Sequence, residues 1–330
     1  MGDLVLGIET SCDDTSVALV DQNGQIAAIE TVSQYEVHSD FGGVYPELAS
    51  RAHLEAILPT IETVMAHAGA GRLDLRAIGV TRGPGLMGSL LVGLSTAQAL
   101  SMAWDLPCYG INHLRGHIRS VDLEEKRLTY PALVMLVSGG HTLLAYLEDQ
   151  HSYELLGTTR DDSVGECYDK VARTLGLGMP GGPAIDRMAA SGIARIKFPR
   201  PMIQSGYEFS FSGLKSSVAR HVETHPDFVI NDVAASFVDA CLGVLGAKLR
   251  RAIAQKAPAS LAVVGGVAAS RQLRAHMQQI SEETGVSLCL PPQKWSTDNA
   301  AMIALATWDY IAHSAPQNLE PKPNLRLVDV

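Results

Sequence analysis

The sequence predicts an α/β protein built from two structurally related domains. Two observations support this class: apolar runs end repeatedly at glycine-rich turns, and a strand–polar turn–strand unit occurs twice, at Val5–Val20 and Leu133–Leu147. The length of 330 residues agrees, since a domain holds roughly 150 residues. We predict an N-terminal domain at 1–118, a C-terminal domain at 119–305 and a C-terminal helix at 306–330 that packs back on the first domain.

In the first domain, four short apolar runs are separated by polar turns, which is typical of strands. The predicted strands are Leu4–Ile8, Ser16–Val20, Ile26–Val32 and Ala77–Val80. Apolar residues at helical spacing predict helices at about 46–69 and at Ser89–Ala103.

The second domain opens in the same way. Predicted strands at Ala132–Val137 and Thr142–Leu147 flank the turn Ser138–His141. A further glycine turn at Val263–Val267 again follows a buried strand, and a final helix is predicted at 297–313. We expect the two domains to present their polar turns to a shared cleft.

Composition excludes several classes of protein. The net charge of −9 argues against nucleic-acid binding by bulk charge, so an RNA-binding role would need a local basic patch or a partner. Five scattered cysteines without a CxxC pair argue against a disulfide framework and favour a reducing, cytoplasmic setting. No basic signal-peptide region opens the chain, and the apolar run Leu261–Ala269 is too short to span a membrane.

Two histidines spaced four residues apart are candidate metal ligands. On a helix, His113 and His117 share one face, a spacing that suits a divalent ion; Ile111 and Val121 extend the apolar side of that predicted helix. Two histidines satisfied within the core are the alternative. A zinc protease of the HExxH type would need its general base where this chain has Leu114.

Asp298 is a candidate third ligand. A set of two histidines and one carboxylate suits iron(II) or zinc. The alternative is structural, because an aspartate at the start of the apolar helix 300–306 complements the helix dipole while Thr297 or Ser296 caps it.

Three glycine turns suggest a nucleotide site, because glycine lets backbone N–H groups approach phosphate oxygens. They are Ser138-Gly139-Gly140, Gly181-Gly182-Pro183 and Gly265-Gly266. The signatures of P-loop NTPases and Rossmann dehydrogenases are absent. Asp186 could hydrogen-bond a ribose, and Ser163 with Glu166 predicts a capping box for the next helix.

The segment Arg195–Arg220 combines five basic residues with one acidic residue, Glu208. Four aromatic residues are interleaved with them: Phe198, Tyr207, Phe209 and Phe211. This combination suits RNA phosphates and base stacking; a solvated loop and helix face is the alternative.

Together these motifs resemble the universal tRNA threonylcarbamoyltransferase (TsaD) family, formerly described as O-sialoglycoprotein endopeptidases. The matching segments run in family order over nearly the whole chain. They are GIETSCDDT at 7–15, GGVYPELASRAH at 42–53, TRGPGLMGSLLVG at 81–93, NHLRGH at 112–117, LVSGGHT at 136–142, DDSVGECYDKVAR at 161–173, PGGPAID at 180–186, FSFSGLK at 209–215, GGVAAS at 265–270 and STDNAAMIA at 296–304.

The resemblance implies a fold of the actin/Hsp70/sugar-kinase (ASKHA) type, with two domains around a nucleotide cleft. It implies an acyltransferase that moves a threonylcarbamoyl group from threonylcarbamoyl-adenylate to N6 of adenosine 37. The substrates would be tRNAs reading ANN codons, and AMP would be released.

The resemblance also implies the site residues. The metal ligands would be His113, His117 and Asp298, holding one divalent ion per subunit, Fe2+ or else Zn2+. The adenine nucleotide would be bound by Leu136, Val137, Ser138, Gly139, Gly140, Asp169, Gly182, Asp186 and Ser270. Ser270 stands where the family usually has Asn, and Arg115 where bacterial relatives often have Glu.

No residue is an obvious general base, and His141 is the single candidate because it borders the glycine turn. For the tRNA contact we predict Lys197, Arg200 and Lys215. The implied partners are tRNA, a TsaB-like paralogue in a heterodimer, a TsaE-like small ATPase and a TsaC-type synthase that supplies the adenylate. A helix at about 48–65 is a candidate docking surface for a partner, and burial of its apolar face in the core is the alternative. No membrane association is expected.

Three rival functions stay open at this point. The chain could be a zinc endopeptidase, a non-catalytic nucleotide-binding assembly subunit, or a sugar or acetate kinase of the same superfamily. The missing HExxH motif argues against the first, and the intact His113, His117 and Asp298 argue against the second.

Overall fold

The computed structural model describes residues 2–38, 43–125, 127–313 and 318–329 and divides the chain into two compact α/β units. Unit 1 comprises Met1–Arg127 and Asp298–Val330, and unit 2 comprises Leu128–Thr297. The first boundary lies after Arg127 instead of after 118, because Val121 and Leu123 are fully buried in unit 1. The chain returns to unit 1 at Asp298, before the predicted residue 306, because the whole last helix packs on that unit.

The described residues form ten strands and ten α-helices. The strands are β1 (Leu4–Glu9), β2 (Asp14–Asp21), β3 (Ile26–Ser33), β4 (Leu75–Gly83), β5 (Cys108–Asn112), β6 (Ala132–Val137), β7 (Thr142–Leu147), β8 (Tyr153–Thr158), β9 (Ser260–Val264) and β10 (Ser287–Cys289). The helices are α1 (Tyr35–His38), α2 (Pro46–Ala68), α3 (Met87–Trp104), α4 (His113–Arg119), α5 (Val164–Thr174), α6 (Gly181–Ala189), α7 (Ser212–Thr224), α8 (Ile230–Lys256), α9 (Arg271–Thr284) and α10 (Ala300–Ala312).

The two units contain sheets of the same topology. The strand order is β3-β2-β1-β4-β5 in unit 1 and β8-β7-β6-β9-β10 in unit 2. In each sheet the first three strands are antiparallel neighbours, and the last two run parallel to the first. The repeated strand–turn–strand units are β1–β2 and β6–β7, so the prediction of two related α/β domains is confirmed.

In unit 1 the sheet is covered on both faces. Apolar residues of α2 and α3, among them Ile57, Val64 and Leu90, pack against strand residues such as Ile8. Helix α10 packs against β1 so closely that a Cβ atom at Gly7 would overlap the backbone of Ala300. This contact places the residues before α10 at the carboxyl end of β1.

In unit 2 the core is built around α8, a 27-residue helix that the sequence analysis did not predict. Its length and apolar composition are those of a membrane span, but 61% of its most apolar window is buried within the protein. A buried lysine, Lys248, interrupts the apolar surface of the helix. Its ammonium donates hydrogen bonds to the carbonyls of Met202, Ser205 and Gly206, and the distance to Ser205 O is 2.6 Å. These features are those of a core helix.

Candidate functional site

The two predicted histidine ligands lie on α4, directly after β5. The Oδ1 atom of Asn112 accepts a hydrogen bond from the Leu114 backbone at 3.0 Å and so caps the helix. The rings of His113 and His117 have centroids 4.7 Å apart, and both are buried. The helix is shorter than predicted, because Ile111 belongs to β5 and Val121 to the following 3-10 turn.

Asp298 lies just outside α10, since Asn299 is the helix cap and its side chain accepts from Met302 N at 3.0 Å. The predicted caps Thr297 and Ser296 are therefore wrong. Asp298 Oδ1 lies 3.1 Å from His117 Nε2 and 3.4 Å from His113 Nε2. Its side chain is 32% exposed, so the cluster is open to solvent on one side.

The structure thus brings together the three residues predicted as metal ligands. One ligand atom from each lies within 4.8 Å of the other two. Both ring nitrogens of His117 are buried without a hydrogen bond, although Nε2 is close to the carboxylate of Asp298. A buried imidazole without a partner is costly, and a metal ion would satisfy Nε2. The donor set of two imidazoles and one carboxylate fits Zn2+ or Fe2+.

A fourth residue, Glu9, supports this cluster and was missed as a functional residue. It ends β1 and is almost fully buried. Its Oε2 accepts from His113 Nδ1 at 2.9 Å and from the Thr81 hydroxyl at 2.6 Å, while Oε1 accepts from Ser11 N at 2.5 Å. A carboxylate on the outer nitrogen fixes the tautomer of a ligand histidine, which leaves Nε2 of His113 for the metal.

The charges of the cluster depend on one another. Burial lowers the pKa of His113, but the carboxylates of Glu9 and Asp298 raise it well above its ordinary value. Burial raises the pKa of Asp298, but His113 and then His117 hold it well below its usual range. The two carboxylates therefore favour the protonated form of His113, and a metal ion must displace the proton on Nε2 of that form in order to bind.

In unit 2, the predicted nucleotide residues form two groups. The first is the end of β6, Leu136 and Val137, with the turn that follows. Ser138 N donates to the carbonyl of His141 at 2.8 Å, and His141 N donates to Ser138 Oγ at 3.0 Å. His141 thus closes the turn through its backbone, and its role as a general base stays a prediction.

Helix α5 holds this turn in place. Its cap Ser163 accepts from Glu166 N at 3.0 Å and donates to the carbonyl of Gly139 at 2.5 Å. Only this half of the predicted capping box forms, because the carboxylate of Glu166 pairs with Lys170 at 2.7 Å. The glycines 139 and 140 have no atom within 4 Å of a would-be Cβ, so their backbone is accessible.

The second group surrounds the start of α6. Asp169 Oδ1 accepts from Gly181 N at 3.0 Å, next to Gly182. Burial raises the pKa of Asp186, and the hydroxyl of Ser270 partly offsets this effect. Asp186 Oδ1 is buried without a hydrogen-bond partner, which leaves an acceptor for a ligand hydroxyl. Ser270 also caps α9 by accepting from Leu273 N.

The structure corrects the prediction for the basic segment. Phe198, Phe209 and Phe211 are buried in the core of unit 2, so they are not available to stack on bases. Its cations are also largely paired, through the ion pairs Arg195–Asp232, Arg200–Asp239 and Lys215–Asp162. Lys197 is exposed and makes no ion pair with any residue that the structure describes.

Comparison with solved structures shows which fold the chain has. The chain matches the ROK hexokinase of Thermus thermophilus with a TM-score of 0.52, at 14% identity over 94% of this chain and 99% of that one. Component A of the (R)-2-hydroxyglutaryl-CoA dehydratase of Acidaminococcus fermentans matches with a TM-score of 0.57 and 15% identity, and the match covers 94% of this chain and 99% of that one. The fold is therefore of the actin/Hsp70/sugar-kinase type, as predicted.

Sequence comparison gives the family. The family profile for TsaD, tRNA N6-adenosine threonylcarbamoyltransferase, matches residues 25–305. The protein of that name from Carboxydothermus hydrogenoformans is 44% identical over 99% of this chain and 98% of its own length. The one from Bacillus subtilis is 46% identical over 92% of this chain and 89% of its own length. The chain belongs to the tRNA N6-adenosine threonylcarbamoyltransferase family and is a transferase.

Proposed function

We propose that this transferase moves the threonylcarbamoyl group of threonylcarbamoyl-adenylate to N6 of adenosine 37 in tRNAs that read ANN codons. The observation that carries the proposal is the cluster of His113, His117 and Asp298 in a chain of this family. In the reaction, the adenosine amine attacks the carbamoyl carbon. The bond from that carbon to the phosphate oxygen breaks, AMP leaves with the electron pair, and the amine loses one proton.

The donor is a mixed anhydride and is already activated, so binding and orientation account for most of the catalysis that the chain must supply. His113, His117 and Asp298 would hold one divalent ion, Fe2+ or Zn2+. When bound, such an ion supplies a Lewis acid that stabilises negative charge on oxygen. Glu9 keeps the proton on Nδ1 of His113 and thereby directs Nε2 towards Asp298.

The residues of unit 2 bind the adenylate in this proposal. The backbone of Gly139 and Gly140 is accessible and offers N–H groups to oxygens of the donor. The unpaired Oδ1 of Asp186 accepts a ribose hydroxyl, while Asp169 holds the start of α6 next to Gly182. Ser270 has a single hydroxyl where an asparagine would offer two N–H donors. We therefore expect it to contribute through Asp186.

For the tRNA contact, Lys197 is the best supported of the three predicted cations, because it is exposed and Arg200 and Lys215 are paired. Reversal of its charge in Lys197→Glu should weaken tRNA binding and reduce its salt dependence by about one phosphate contact. Filter binding at several salt concentrations measures both, with Lys256→Glu on the far end of α8 as the control. Unchanged binding would remove Lys197 from the proposal.

We propose a TsaB-like paralogue as the partner that covers α2 and α3. Exposed apolar side chains lie on both helices, at Leu54 and Leu58 of α2 and at Met87 and Leu91 of α3. Apolar residues exposed in this number on two neighbouring helices are typical of a protein interface. A TsaE-like ATPase and a TsaC-type synthase complete the proposed system, in the cytoplasm.

The proposal is tested with a purified donor. Unmodified tRNA reading an ANN codon is mixed with threonylcarbamoyl-adenylate, the chain and its paralogue, with neither ATP nor synthase present. Mass spectrometry of the digested nucleosides should show threonylcarbamoyladenosine, and AMP should form in equal amount. A tRNA with guanosine at position 37 is the control. AMP release without modified nucleoside would contradict the proposed transfer.

A further inference from the structure

Residues Asn318–Asp329, called the strap below, contain neither helix nor strand, yet they are fixed against unit 1. Leu325 and Leu327 are buried, with 3% and 1% exposure. Lys322 N donates to the carbonyl of Arg82 at 2.7 Å at the end of β4. The strap also crosses β5 so closely that a Cβ atom at Gly110 would overlap the carbonyl of Asn318.

Beyond β5, the strap is attached to α4, the helix that carries both histidines. Asn112 caps α4 with its Oδ1 atom and donates from Nδ2 to the carbonyl of Arg326 at 2.9 Å. Arg115 donates from Nε to the carbonyl of Leu327 at 3.2 Å and from Nη2 to that of Asp329 at 3.3 Å.

These contacts hold α4 on the side away from the candidate metal. Arg115 is two residues from each histidine, which corresponds to roughly 200° around the helix, so it lies on the face opposite to both rings. Another side is held by α10, where a Cβ atom at Gly116 would approach Ile303 Cδ1 to 2.8 Å. Helix α4 has seven residues, and a helix this short depends on its neighbours for its position.

We propose that Arg115 is a positioning residue for the metal centre. Through its two hydrogen bonds to the strap, it fixes α4 so that Nε2 of His113 and Nε2 of His117 both face Asp298. This inference rests on the metal centre proposed above. A carboxylate at position 115 could not perform this function, because a carboxylate and a backbone carbonyl are both hydrogen-bond acceptors.

The expected effect is a loss of metal affinity without a loss of fold. Residues that orient metal ligands without binding the metal themselves typically contribute about 10- to 100-fold to metal affinity. Replacement in Arg115→Met retains most of the side-chain volume and removes every donor. The matched control is Arg72→Met, which removes another arginine of unit 1 whose Nη1 donates to a backbone carbonyl, that of Trp104 at 3.1 Å.

The experiment measures the Zn2+ dissociation constant by competition with a chromophoric chelator and records the visible spectrum of the Co2+-loaded protein. For Arg115→Met we expect roughly tenfold weaker Zn2+ binding. Its Co2+ bands should shift, while the Tm of the metal-free protein stays close to that of Arg72→Met. Arg115→Lys, which keeps one charged donor, should recover part of the affinity. Zn2+ binding by Arg115→Met within twofold of the wild type would overturn the proposal.

A second variant leaves the sequence of α4 unchanged. A chain ending at Val328 keeps Leu325 and Leu327 but lacks the carbonyl of Asp329 that Arg115 uses. We expect weaker Zn2+ binding here too, and unchanged binding would overturn the role of the strap. Failure of the wild type to bind Zn2+ or Co2+ would instead contradict the proposed metal centre, so the two failures are distinguishable.

Discussion

Replacement of Glu9 by glutamine tests how the metal centre is held. Three groups donate hydrogen bonds to this carboxylate: the backbone N–H of Ser11, the hydroxyl of Thr81 and Nδ1–H of His113. Glutamine has the same shape but one acceptor oxygen. If its oxygen faces His113 and Thr81, its NH2 group meets the N–H of Ser11, and the reverse orientation leaves His113 facing a donor.

The size of the effect follows from these contacts. Loss of a carboxylate behind a ligand histidine typically lowers metal affinity 10- to 100-fold, which corresponds to about 1.4–2.7 kcal/mol. Because Glu9 is almost fully buried, the mismatched amide should also lower the free energy of unfolding, by about 1–3 kcal/mol. The control is Glu47→Gln on α2, which removes an exposed ion pair with Arg51 and should cost less than about 0.5 kcal/mol.

Calorimetry of Zn2+ binding at pH 7, in buffers of different ionisation enthalpy, measures both affinity and proton release. For the wild type we expect proton release on binding, because Glu9 and Asp298 favour the protonated form of His113 that the metal must displace. In Glu9→Gln the pKa of His113 falls, so fewer protons are released even though binding is weaker. Equal affinity and equal proton release in the wild type and Glu9→Gln would refute this reasoning.

Two further predictions concern stability. Burial lowers the pKa of His53, which lies 2.7 Å from the Thr15 hydroxyl. The contribution of neutral His53 to stability is complete above pH ~6.5 and is lost as the pH falls. The Tm difference between the wild type and His53→Gln should therefore shrink on acidification. A difference that stays constant would contradict this role of His53. Lys248→Met removes the lysine donor from the carbonyls of Met202 and Ser205, while that of Gly206 keeps Arg251. It should lower the free energy of unfolding by about 2–3 kcal/mol in urea, and the control is Lys256→Met, which removes an exposed ion pair. Equal losses in the two variants would contradict the buried role of Lys248.

The sequence predicted β1 to β4, β6 and β7 because their signals are local. Each is a short apolar run bounded by polar or glycine turns, and the repeat of β1–β2 in β6–β7 revealed two related units, whereas β8 and β10 were not predicted. Helix α8 was missed because Asp232, Asp239 and Lys248 interrupt its apolar residues, and the packing that buries Lys248 is a tertiary feature. Strand β5 was missed, and one of its residues, Ile111, was assigned to the histidine helix that follows it.

The site was predicted in part for the same reason. The spacing of His113 and His117 is a local pattern. Asp298 was a candidate from its place before an apolar helix, and the resemblance joined it to the two histidines. Glu9 could not be paired with His113 from spacing, since they are 104 residues apart. Its signal was a carboxylate at the end of an apolar strand. The aromatic residues of 195–220 were misinterpreted because interleaving with cations is equally compatible with burial, which the structure shows for Phe209 and Phe211.

The most direct test of the central claim is incorporation of labelled threonine into unmodified tRNA. Threonine, bicarbonate, ATP, the synthase and the proposed partners are supplied, and the wild type is compared with Asp298→Ala. We predict label that depends on the wild-type chain and is lost in the variant, whose Zn2+ affinity and Tm are measured in parallel. Equal labelling by a folded, metal-free Asp298→Ala would contradict the role of the metal centre. No labelling by the wild type, where a known relative is active, would contradict the proposed transfer.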